Sequence, residues 1–166
     1  VTGPCTYLPL EGHPQVGPQD VLDLWVGEGA LDAAQAQARL PEVLHVAVTS
    51  AGELAAVCTV HLHEDPQLRA DLWFYRTYVG VRHRRSTVAE GLLRTTVELL
   101  EARWQDGRDR RGAGIAFRLQ NDGLRAAHRE AVWPRIPMSY VTRSPGGELR
   151  VRWFAGALAP DPPRAT

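Results

Sequence analysis

The densest run of anion-binding chemistry in the sequence is Val79-Gly80-Val81-Arg82-His83-Arg84-Arg85-Ser86-Thr87-Val88-Ala89. An aromatic-rich apolar stretch precedes it and an amphipathic one follows, so it reads as a turn from a strand into a helix. Such a turn leaves amides at the positive end of the helix dipole, where an anion is favoured. Arg84 and Arg85 add charge-assisted hydrogen bonds worth about 1.5–3 kcal/mol each, and the Ser86 or Thr87 hydroxyl can cap the helix or meet a phosphate oxygen. A capped helix with solvated arginines is the structural alternative.

His61-x-His63 is a second constellation. A bend centred near Gln67 between two antiparallel strands sets residues whose numbers sum to about 134 opposite each other, His61 against Trp73 and His63 against Asp71. Those four then share a face with Tyr75, and a one-residue slip turns His61 to the other side. Two imidazoles at alternate strand positions can meet a metal, with Glu64 or Asp65 completing the set. Such a pair near a strand end is more often solvated or packed on aromatics, so no metal is assigned. Cys58 falls on the face opposite His61, which disfavours a Cys-His nucleophile pair, and with Cys5 it makes no CxxC motif. Arg108-Asp109-Arg110-Arg111 has no interleaved aromatic residue and reads as a solvated loop.

These groups need elements to hold them. Pro4, Pro9 and Pro14 punctuate the start and leave room for a short edge strand over 7–10. Pro18 starts a helix to Gly27, with Val21, Leu22, Leu24 and Trp25 at helical spacing, and 31–40 give a second helix that Pro41 stops. Residues 43–49 and 54–63 form a hairpin around Ser50-Ala51-Gly52-Glu53, and 71–81 are a long central strand. A helix over 87–104 shows an apolar stripe through Val88, Leu92, Leu93, Val97, Leu99 and Leu100. A charged loop leads to a strand at 115–119, a helix at 121–131 and, after Ser144-Pro145-Gly146-Gly147, a last strand at 148–154. The order β-α-α-β-β-β-α-β-α-β is a mixed α/β (α+β) arrangement without internal repeats. It reads as one domain over 1–166, with irregular Pro-rich ends at 1–17 and 159–166.

Arg84-x-x-Thr87-x-Ala89 resembles the Arg/Gln-x-x-Gly-x-Gly/Ala signature of the GNAT superfamily of acyl-CoA-dependent N-acyltransferases, with Thr87 at the first glycine. Val79 upstream and Leu92-Leu93 downstream extend the match. Asn121, the only Asn, is followed by Leu124, His128, Val132 and Trp133 at the spacings of that family's Asn-x-x-Ala-x-x-x-Tyr-x-x-x-Gly-Phe pattern. The element order agrees over nearly the whole chain, which implies a mixed, mainly antiparallel central sheet flanked by helices.

The resemblance implies acetyl-CoA, or another acyl-CoA, as cosubstrate, held by Val79, Val81, Arg84, Arg85, Ser86, Thr87, Val88, Ala89 and Asn121. It implies that the Val79 amide polarises the thioester carbonyl and that His128, at the place of a late-helix Tyr, protonates the leaving thiolate. The family's base positions on the central strand fall on Trp73 and Tyr75. The register that sets His61 opposite Trp73 makes His61 the candidate base through a water, with Tyr75 as relay, and the resemblance sets Trp73, Tyr75 and Thr77 along the acceptor cleft. The implied activity is transfer of an acetyl or other short acyl group to the amine of a small molecule by direct attack. A catalytically silent acyl-CoA-binding domain or a repurposed one is the alternative, because a fold does not certify an activity. Members of the family often form homodimers.

Composition bounds the rest. A chain of 166 residues suits one domain that buries roughly 70% of its unfolded surface. Hydrophobic residues at 44% and charged ones at 23% exclude a disordered or fibrous chain. Lys plus Arg and Asp plus Glu balance at 19 each, so no net field gathers nucleic acid or anionic membrane. Every one of those basic residues is Arg, a bacterial-like usage that excludes Schiff-base and Walker-type lysine chemistry. Apolar stretches too short for a membrane span, and no basic-then-apolar leader, give the expectation of a cytoplasmic protein.

Overall fold

A computed structural model describes residues 4–84 and 86–160. Local chemistry sets the first helices. Gly17 donates its N–H to Asp20 Oδ2 at 2.7 Å and Pro18 occupies the first turn, opening α1 (Pro18–Gly27). Asp32 accepts the Gln35 N–H at 2.8 Å and Gln35 returns the bond, a reciprocal cap that starts α2 (Ala33–Arg39). Pro41 then carries the chain through a 3-10 turn, Leu40–Glu42.

The strands are β1 (Cys5–Pro9), β2 (Val43–Thr49), β3 (Leu54–Asp65), β4 (Ala70–Val79), β5 (Gly114–Leu119), β6 (Ser139–Ser144) and β7 (Gly147–Trp153), with helices α3 (Val88–Gln105) and α4 (Asp122–Ala127). They form one seven-stranded sheet in the order β1-β2-β3-β4-β5-β7-β6, flanked by helices. β4 pairs β5 in parallel through Trp73↔Ile115 and Phe74↔Ala116, whereas β1–β2, β2–β3, β5–β7 and β6–β7 are antiparallel.

The chain divides into two compact units. The first comprises Val1–Val60 and Tyr75–Glu98. Val21, Leu22 and Trp25 of α1 pack there on Ala36, Val46, Val48 and Val57, each large side chain contributing about 1.5–3 kcal/mol of burial. A buried polar chain lies in the same unit, with Thr96 Oγ1 at 3.1 Å from His45 Nδ1 and 3.3 Å from Cys58 Sγ.

The second unit comprises His61–Phe74 and Leu99–Thr166. Its core is Leu72, Phe74, Ala116, Leu149 and Val151. Arg150, 1% exposed, sits within it and donates to Glu148 Oε1 at 2.6 Å and to the carbonyls of His128, Glu130 and Met138 at 2.9–3.3 Å. Its guanidinium lies 4.7 Å from the centre of the Trp133 ring. Gly147 opens β7 at φ 115, where a Cβ would stand 2.8 Å from the Leu119 carbonyl oxygen, so only glycine fits.

Several expectations are corrected. β6 is a strand the hydrophobic pattern did not show. α4 ends at Ala127 rather than 131, and β4 ends at Val79 rather than Val81. Among the described residues no helix is long and apolar enough to cross a membrane.

Candidate functional site

The expected anion-binding junction follows β4. Gly80 donates its N–H to the Ala55 carbonyl at 2.9 Å, which ties the strand end to β3. By alternation along the strand the Val79 N–H points to the opposite edge. The chain does not pass straight into the helix. It makes a 3-10 turn, Val81–His83, closed by the His83 N–H on the Gly80 carbonyl at 2.8 Å. Ser86 Oγ donates to the His83 carbonyl at 2.6 Å and accepts the Val88 N–H at 3.4 Å, and the Thr87 carbonyl accepts the Gly91 N–H at 2.9 Å. Ser86 therefore caps α3, while Val88 is buried in the core. His83 Nε2 lies 3.3 Å from Glu53 Oε1, which anchors the turn to the β2–β3 hairpin.

Arg84 is exposed and folds back along the strand. Its Nε donates to the Val79 carbonyl and its Nη2 to the Tyr78 hydroxyl, both at 3.3 Å. Arg85, expected to act beside it, lies outside the described residues. The Val81 N–H is already engaged. It donates to both carboxylate oxygens of Glu28, at 3.0 and 3.2 Å, and the Tyr78 hydroxyl donates to Glu28 Oε2 at 2.9 Å. Burial first, then Glu28, pushes the Tyr78 hydroxyl above its ordinary pKa. Glu28 was not among the residues singled out from sequence. Its partners lie 50 and 53 positions away, and no local pattern connects them.

Next to this junction, in the same unit, the segment from α1 to α2 covers a pocket of about 100 Å³. Trp25, Leu31 and Val57 form apolar walls, and Arg39, Thr59, Arg76 and Thr77 supply polar groups. Arg76 is paired with Glu42 at 2.8 Å and the Thr77 hydroxyl donates to the Val57 carbonyl at 3.3 Å. Thr59, 2% exposed, has no hydrogen-bond partner for its hydroxyl among the described residues.

The other predicted residues distribute unevenly. Val79, Val81, Arg84, Ser86, Thr87, Val88 and Ala89 do share one junction, in the unit that also holds Tyr75 and Thr77. Of the expected acceptor face, Thr77 lines the pocket. Tyr75 is in the core, 5% exposed, with no hydrogen-bond partner for its hydroxyl, and burial pushes that hydroxyl well above its ordinary pKa of 10.0. Trp73, 9% exposed, carries the Arg111 guanidinium 5.2 Å from its ring centre and belongs to the second unit.

His61 does not share the face of Trp73. Its ring and that of His63 pack on Phe74 at 5.8 and 5.4 Å, so the strand face differs by one residue from the expected register. The cause is the turn. Asp65 Oδ1 accepts the Gln67 and Leu68 amides at 3.0 Å, and the Asp65 carbonyl accepts the Arg69 N–H at 2.7 Å with Arg69 at φ 50. Asn121, also in the second unit, caps α4, its Oδ1 accepting the Leu124 N–H at 2.9 Å. His128 is the exposed C-cap of that helix, its ring 5.5 Å from Trp133.

No protein-family model matches the sequence, and no curated protein matches it. Solved structures do match. A GNAT-family acetyltransferase from Listeria monocytogenes is 14% identical at TM-score 0.59, over 90% of this chain and 95% of its own. A GNAT superfamily phosphinothricin acetyltransferase from Sinorhizobium meliloti, solved in complex with AcCoA, is 12% identical at TM-score 0.59, over 96% and 94%. AtaT, complexed with acetyl-methionyl-tRNAfMet, is 7% identical at TM-score 0.55, over 90% and 95%. At these identities the likeness is one of fold, and the fold of this chain is that of the GNAT acetyltransferases.

Proposed function

We propose that the protein is an N-acyltransferase that moves an acetyl or other short acyl group from acyl-CoA to the amine of a small molecule. The observation that carries this reading is the position of Arg84-x-x-Thr87-x-Ala89 at the turn between β4 and α3 of a GNAT fold. The pocket beside it favours a small acceptor. The neighbour named for phosphinothricin supports the same choice over the one complexed with tRNA.

On this reading the Val79 N–H holds the thioester carbonyl oxygen as charge develops there. The acceptor amine attacks that carbon, the C–S bond breaks, and the departing thiolate takes a proton from water. The proton lost by the amine passes to water, because the ring of His61 packs on Phe74 and does not share the face of Trp73. Arg84 and the amides opening α3 hold the cosubstrate's phosphates. Tyr75 serves as a packed wall. The second reading, an acyl-CoA-binding domain without turnover, is favoured by one observation, the Glu28 carboxylate already seated on the Val81 amide.

Thermal unfolding with and without acetyl-CoA tests the cosubstrate. Ligand at about 100 times its dissociation constant stabilises the native state by about 2.7 kcal/mol, or roughly 5–10 °C at this size. We expect that shift in the parent and its loss in the Arg84→Ala/Arg85→Ala double variant. No shift in the parent removes the cosubstrate and with it the function. A panel of small amines with detection of released thiol then separates a transferase from a binding domain.

A further inference from the structure

The pocket between β3, β4 and the α1–α2 segment has a charge pattern that acyl transfer alone does not explain. We propose that it binds a small amine bearing a carboxylate, with Arg39 as the counter-ion of that carboxylate. On the transferase reading, on which this identification of the ligand as acceptor rests, the acceptor is of the amino-acid class.

Two cations, Arg39 and Arg76, line the pocket, and no Asp or Glu does. Their situations differ. Arg76 is neutralised by Glu42 at 2.8 Å, whereas Arg39, half-buried at the end of α2, has no carboxylate partner among the described residues. A partly desolvated guanidinium favours a bound carboxylate, which it can meet with two parallel N–H bonds. An amine lacking a carboxylate would instead bring positive charge toward Arg39 with nothing to offset it.

The pocket also holds a hydroxyl with nothing to bond. Thr59 Oγ1 is buried and without a partner among the described residues, while Thr77, which also lines the pocket, is satisfied by the Val57 carbonyl. A buried polar atom left in this state is costly, and a ligand oxygen or nitrogen would relieve it. The remaining wall, Trp25, Leu31 and Val57, suits an aliphatic side chain. A volume of about 100 Å³ fits a group the size of a single amino acid.

The test is calorimetric titration of the full chain with L-valine and L-leucine, each against its decarboxylated counterpart, isobutylamine and isoamylamine. We expect each acid to bind at least about tenfold more tightly than its amine. Arg39→Ala should abolish that preference and Arg39→Lys should restore part of it, which a merely structural role for Arg39 would not produce. Thr59→Val should weaken the acids several-fold. Thermal unfolding of each variant confirms that it remains folded. Equal binding of acid and amine, binding of neither, or an unchanged preference in Arg39→Ala overturns the proposal. Acetyl-CoA titrated into the same preparations separates the two ideas: acetyl-CoA binding without acid binding refutes the pocket assignment alone, and the reverse refutes the transferase reading alone.

Discussion

Replacing Arg150 by Met removes the charge from the centre of the second unit while keeping most of the side-chain length. The side chains of Arg150 and Glu148 are 2% and 12% exposed, and their 2.6 Å contact is backed by three carbonyl acceptors on the segment between α4 and β6. Removing one partner of a buried ion pair costs about 3–5 kcal/mol, because the other charge stays behind without compensation. At about 2–4 °C per kcal/mol for a chain of this size, the unfolding midpoint should fall by about 6–20 °C. Apolar packing of Met on Trp133 offsets part of this, which places the expectation nearer the lower figure. Urea unfolding of the parent, Arg150→Met, Glu148→Gln and the double variant supplies the pairwise energy. The single losses should fall short of additive by about 1–3 kcal/mol. Hydrogen exchange should quicken at Trp133 and Tyr140, whose amides donate to Met138 and Ala131 in that segment. A loss in Arg150→Met below about 1 kcal/mol, the value of a solvated surface pair, would refute the reasoning. So would strict additivity.

Three further outcomes are expected. The Cys58 thiol, fully buried, is pushed up to about 11 by burial, against smaller opposing effects of hydrogen bonds to Thr96 and His45. A thiol reagent at about pH 8 should therefore modify the partly exposed Cys5 and not Cys58 in native protein, and both in denaturant. Because folded Cys58 keeps its proton to higher pH than the unfolded chain, its stabilisation is complete below pH 9.0 and falls by about 2–3 kcal/mol as pH rises toward 11. Urea midpoints should decline less steeply over that range in Cys58→Ala, and equal slopes would contradict the assignment. At the junction, Glu28→Ala frees the Val81 N–H and should tighten acetyl-CoA about tenfold in the thermal assay, the worth of a charge-assisted hydrogen bond. Unchanged affinity would mean that the cosubstrate does not use this amide.

What could be read from the sequence follows from how local each determinant is. The span of α1 was legible because Pro18, the i,i+3 apolar positions and the glycine at its end all lie within ten residues. The β2–β3 hairpin was legible from its Val-rich halves around Gly52. β6 was not, because Ser139-Tyr-Val-Thr-Arg-Ser144 is a half-polar run at the sheet edge whose order comes from pairing with β7. α4 reads as longer than it is because Arg150 draws the carbonyls of His128 and Glu130 toward itself from 22 and 20 positions away, a contact no local pattern announces.

The same distinction governs the site. The Arg84 to Ala89 run is contiguous, so its place at a strand-to-helix turn could be predicted, although the 3-10 turn within it could not. The face of His61 depended on whether the β3–β4 turn begins at Asp65, which is decided by one carboxylate accepting two amides. Arg39, Thr59 and Glu28 come from three elements and become a pocket and a latch only once α1 and α2 pack on β3 and β4. Each has an ordinary role in sequence, as a helix-ending cation, a strand threonine and a solvent-facing acid. Their charge and hydrogen-bonding states give them meaning, because among the described residues Arg76 has its carboxylate and Arg39 does not, and Thr77 has its acceptor and Thr59 does not. The groups with unmet demand are thus the ones that a ligand's chemistry can be inferred from. They point to an anionic group in the pocket, separate from the phosphates expected at the junction.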